Sequence, residues 1–120
     1  MSVQYQKDNG PNRRNKKRAK AENLPSGMQE FWLRFGPDEV YRGTTIDASL
    51  TGMSFLVEVS TNRIHEPFVQ LVSADKKISM EQELVYIKAI DKTHSRISLL
   101  LDEGSTPQLY RRIIGKVINS

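Results

Sequence analysis

Cysteine is absent from the 120 residues, which excludes disulfides and thiolate metal sites. Histidine is scarce. His65 and His94 fall in separate polar loops without the paired spacing of ligands, so no metal centre is expected. No apolar run approaches the roughly 18 residues that cross a bilayer, and no membrane span is expected. The opening MSVQYQKDNGPNRRNKKR has no apolar core of a secretory signal, and a cytoplasmic location is expected. A phosphate loop of the GxxxxGKS type is also missing, as is any set of nucleophile, base and acid. The paired acids Asp38-Glu39 and Asp102-Glu103 flank turns. The expectation is a protein that is not an enzyme and carries no cofactor.

What is present is unevenly distributed. The net charge is +4. Residues 1–22 hold seven basic groups against two acidic ones, while the remainder holds eleven against twelve. The basic character therefore belongs to the front of the chain, which points to an anionic partner for that segment. Two units follow: a flexible basic arm over residues 1–22 and a folded unit over 23–120.

From Met28 onward the pattern is that of strands. Phe31, Leu33 and Phe35 alternate with Glu30, Trp32 and Arg34. VYRGTTI, MSFLVEV, PFVQLVS, LVYIKAI and RISLLL continue the series, separated by turn-forming stretches such as GPDE, SADKK and DKTHS. Met53, Phe55, Val57 and Val59 form one face of the third strand. Trp32 is placed on the outer side, beneath the terminal helix. That helix is read in STPQLYRRIIGKVINS, where Leu109, Ile113 and Val117 recur at helical period with Tyr110, Ile114 and Ile118 beside them. Thr106 suits the N-cap and Pro107 the first helical position. The expected fold is all-β: a six-stranded antiparallel barrel closed by a C-terminal helix.

Two constellations carry chemistry. Arg14 and Arg18 stand four apart in RNKKR. An arginine fork engages phosphate oxygens or the O6/N7 edge of guanine in bidentate fashion, and its plane stacks on a base. The same run also reads as a solvated tail or a non-specific polyanion contact. In IDASLTG, Asp47, Ser49 and Gly52 interrupt the strand pattern. They make an ordinary turn, with Asp and Ser capping amides. Alternatively Asp47 accepts from the parallel N1–H and N2 donors of guanine, Ser49 adds a bond to base or phosphate, and Gly52 gives close approach or fixes the turn.

The ordered pair, RxxxR followed by DxSxxG on a small β-barrel, resembles the PilZ domain family. The resemblance spans about residues 11 to 118. It implies a bacterial receptor for cyclic di-GMP, a Greek-key split barrel of six strands and a closing helix. Arg14 and Arg18 match the arm arginines that contact phosphate and guanine. Asp47, Ser49 and Gly52 match the barrel motif that contacts guanine. Arg13 stands where the family varies between one bound dinucleotide and a stacked pair. The segment RISLLL departs from the family's RIGLRF, with Ser98 in place of Gly and Leu100 also differing. No counterpart is evident for an aromatic that stacks on a base in some members. With no output domain in the chain, an unidentified effector protein is the expected partner. A small nucleic-acid-binding barrel using the basic arm, and a PilZ-like adaptor without ligand, are the rival readings; nucleic acid is the less expected partner.

Overall fold

The structure, a computed structural model, describes residues 17–119. Its strands are β1 (Ala19–Lys20), β2 (Glu30–Gly36), β3 (Glu39–Ala48), β4 (Gly52–Val57), β5 (Phe68–Ser73), β6 (Ser79–Ala89) and β7 (Ser95–Leu100). One α-helix, α1 (Gln108–Ile118), follows. The sheet order is β1-β3-β2-β5-β6-β7-β4, and pairing of β3 with β4 closes the ring. Six strands thus form an antiparallel barrel, with β1 added outside the ring against Ala48 and Asp47 of β3. After the meander β2-β3-β4 the chain crosses to the far side of β2 for the meander β5-β6-β7, as in a Greek key.

Alternation decides what fills the barrel. Phe31, Leu33, Phe35, Met53, Phe55, Val57, Val69, Leu71, Ile97 and Leu99 are all buried. Phe31 and Phe55 meet edge to face at 5.4 Å, an arrangement that aromatic rings favour. Gly43, opposite Phe31 in the register, is required by packing. A Cβ there would lie 2.6 Å from Leu33 Cδ1.

Several boundaries differ from the sequence expectation. The strand β1 lies inside the basic block, where no strand is expected. Pairing with β3 makes it one, and it buries Ala19. β6 starts at Ser79 rather than Leu84, because residues 79–83 pair with β5, and Gln82 points inward there. Its amide is satisfied there, donating to Thr106 Oγ1 at 3.1 Å and accepting from the Asp102 N–H at 2.8 Å. That contact also moves the helix cap. Thr106 is engaged by Gln82 and by the Asp102 carbonyl, so Pro107 is the N-cap and the helix begins at Gln108. Trp32 is half-exposed, with the Arg42 guanidinium 5.4 Å from its ring; this cation–π contact takes the place expected for the helix.

α1 packs against β1, burying Tyr110 and Ile114, with Leu109, Ile113, Val117 and Ile118 half-buried. No helix among the described residues is long and apolar enough to cross a membrane. Gly115 sits within α1, and a Cβ built there meets nothing within 4 Å. Gly115→Ala is therefore expected to stabilise the fold by about 0.5–1 kcal/mol, because alanine loses less backbone entropy in a helix. Urea unfolding measures it, and an unchanged or lowered midpoint refutes it.

Candidate functional site

Strict alternation along β3 points Gly43 and Thr45 inward, and would send Asp47 after them. The register shows why it does not follow. Thr45 pairs with Phe55, but the next partner of β4, Ser54, pairs with Asp47. Ile46 is an extra residue, a β-bulge of the kind that re-aims a side chain. It turns the Asp47 carboxylate to the outer face and lets Ala48 fill the core opposite Met53.

Arg18, one residue before β1, lies over that carboxylate. Its Nε and Nη2 reach Asp47 Oδ1 at 3.2 and 3.0 Å. Both side chains stay partly open to solvent, at 43% and 22% relative exposure. One carboxylate oxygen and part of the guanidinium thus remain free to meet a ligand. The pairing of Ala19 and Lys20 with β3 supplies this geometry, since it fixes the backbone beside Asp47.

Ser49 plays its part inside the turn. It is 2% exposed. Its Oγ accepts from the N–H groups of Thr51 and Gly52 at 3.2 and 3.1 Å, and from Arg18 Nη1 at 3.5 Å. Its own N–H donates to the Gly52 carbonyl at 2.8 Å. The hydroxyl is thus engaged by the turn's own backbone, with the Arg18 guanidinium at its edge. Gly52 avoids the left-handed region, so it does not set the turn by positive φ. Its value is space: a Cβ would stand 3.3 Å from the Leu99 carbonyl and 3.6 Å from Arg18 Nη2. Arg13 and Arg14 lie outside the described residues.

The turn is anchored from below by the helix. Tyr110, fully buried, donates its hydroxyl to the Ser49 carbonyl at 2.7 Å. Burial pushes its phenol well above the ordinary tyrosine range, with the Arg18 charge opposing. It therefore remains a neutral donor. α1 thereby braces the loop that holds the site, a link that sequence periodicity assigned only to packing.

One aromatic also belongs to this face. Across the strands, Asp47 pairs with Ser54, Ser54 with Ser98, and Ser98 with Tyr86. Directly opposed residues project to the same side, so the four form a row across the outer face. Tyr86 reaches it through a second bulge, between Leu84 and Tyr86, and is half-exposed. Sequence alternation concealed it: counted from Gln82 and Leu84, Tyr86 belongs inside. Among the described residues no cluster of His, Asp and Glu suits a metal ion.

No family model matches this sequence, and no curated protein matches it. Solved structures do. The PlzA protein of Borreliella burgdorferi in complex with c-di-GMP is similar at a TM-score of 0.60 and 15% identity, over 95% of this chain and 41% of that one. The PilZ domain of YcgR from Escherichia coli with c-di-GMP is similar at a TM-score of 0.60 and 20% identity, over 89% of each chain. The fold is that of a PilZ domain. This chain spans less than half the length of PlzA, so the likeness concerns one part of that protein.

In this chain, removing the Tyr110 hydroxyl orphans the buried Ser49 carbonyl. Tyr110→Phe is expected to cost about 1–3 kcal/mol of stability and to broaden the amide NMR signals of Ser49–Gly52. Unchanged stability and sharp signals there would show that the helix does not brace the turn.

Proposed function

We propose that this PilZ domain is a c-di-GMP receptor whose binding site lies between its basic arm and the outer face of the barrel. The observation that carries the reading is the Arg18–Asp47 pair at 3.0 Å, partly exposed and set where β1 pairs with β3. A cyclic dinucleotide presents guanine edges with parallel N–H donors and two phosphate charges. The free oxygen of Asp47 accepts from a guanine edge, and the unengaged N–H groups and plane of Arg18 serve phosphate and base. Arg13 and Arg14 extend the cationic surface from the arm. Ser49 and Gly52 act on position: the first holds the turn, the second leaves room for the guanidinium. Tyr86 offers a stacking face in the same row, of the sort worth about 1–3 kcal/mol per base.

The energetics are feasible. Micromolar affinity is about −8 kcal/mol. Fixing the backbone of a residue costs about 1–2 kcal/mol, and Ala19 and Lys20 are already paired with β3. Charge-assisted bonds of about 1.5–3 kcal/mol each then offset ordering of the few arm residues that close on the ligand. Closure of the arm ahead of β1 over the dinucleotide creates a new surface, which an effector protein reads.

Titration calorimetry with c-di-GMP, against GTP and cyclic di-AMP, tests this. Arg18→Ala and Asp47→Ala are each expected to remove the heat of binding, and Arg14→Lys to weaken it because the fork is lost. Equal affinity in all three variants overturns the site. Binding to RNA with a steep salt dependence and no sensitivity to Asp47 would instead mark a nucleic-acid binder.

A further inference from the structure

Beyond Asp47 and Tyr86, the outer face holds further polar side chains without an assigned role. Ser54 and Ser98 lie in the middle of the row, their hydroxyl oxygens 3.0 Å apart. Ser54 is 3% exposed, whereas Ser98 is half-buried. A buried donor left without a partner costs about 1–3 kcal/mol. The favourable arrangement therefore has Ser54 donating to Ser98. The Ser98 proton then points outward, free to donate to an acceptor above the sheet.

The next row on the same face is Thr44, Leu56, Arg96 and Lys88. Arg96 and Lys88 are directly opposed across β7 and β6. Like charges in that relation are destabilising. Neither has an acidic group within ion-pair distance among the described residues. Two facing cations and an outward hydroxyl donor make a surface that lacks only an anion. Ser98 stands two strand spacings from Asp47, about 10 Å, a separation suited to a base on one and a sugar-linked phosphate on the other.

We propose that Ser98, Arg96 and Lys88 form an anion subsite on the barrel face that takes a phosphate of the dinucleotide whose guanine sits at Asp47. The proposal rests on the c-di-GMP reading for the identity of the ligand, and on the barrel's own geometry for the anion. It also gives a purpose to the serine at position 98: its hydroxyl supplies a donor that glycine lacks.

The test uses the full chain and two readouts. In the absence of ligand, the double variant K88Q/R96Q is expected to unfold at a higher temperature than the parent, because a repulsion has been removed. At low salt it is expected to bind c-di-GMP at least about tenfold more weakly, the loss of a charge-assisted bond. The difference should shrink as salt is raised. Ser98→Ala is expected to weaken binding without altering the salt slope. Inorganic pyrophosphate is the second probe: it should raise the melting temperature of the parent and not that of the double variant. Equal affinity and equal salt slope in parent and double variant overturn the subsite, as does a pyrophosphate effect that is the same in both. If the parent fails to bind c-di-GMP while pyrophosphate still stabilises it selectively, the subsite stands and the dinucleotide reading falls.

Discussion

A carboxylate has no place in the interior of a small apolar barrel, and the strand that carries Asp47 runs straight through one. Burying an unpaired charge is far costlier than the local distortion that avoids it. The bulge at Ile46 resolves the conflict: one unpaired residue turns Asp47 out and keeps Ala48 in. The rest of the site follows from that displacement. Arg18 has a carboxylate to lie over, β1 has an edge to pair with, and the turn after Ala48 has a fixed starting point.

The site is then held from three directions. From the side, β1 fixes the backbone next to Arg18. Within the turn, the Ser49 hydroxyl gathers the amides of Thr51 and Gly52. From beneath, Tyr110 closes the Ser49 carbonyl in a position where water does not reach. The exposed chemistry is thus mounted on a buried hydrogen-bonded frame. On the outer face the row through Asp47 and Tyr86 runs beside the row that carries Arg96 and Lys88.

Much of the barrel was legible because its signal is local. Phe31, Leu33 and Phe35, and later Met53, Phe55 and Val57, alternate with outward-facing neighbours, and each is buried as that spacing requires. The helix was equally plain, although its first turn was misplaced by one residue. That misplacement has a distant cause, since Thr106 is engaged by Gln82, 24 positions earlier. The strand Ala19–Lys20 had no local signal at all. Two residues in a basic run form a strand only because an edge of β3 is waiting for them.

The sequence by itself determined many of the inward residues, the number of barrel strands, the terminal helix and the residue types that make Arg18 and Asp47 worth bringing together. Their meeting, and the side of the sheet on which Asp47 and Tyr86 stand, were decided only by tertiary structure. Alternation has a period of two, so a single inserted residue reverses every assignment beyond it. Whether a strand contains such an insertion depends on the partner it pairs with. Both bulges are visible only in the register of β3 with β4 and of β6 with β7, between residues far apart along the chain.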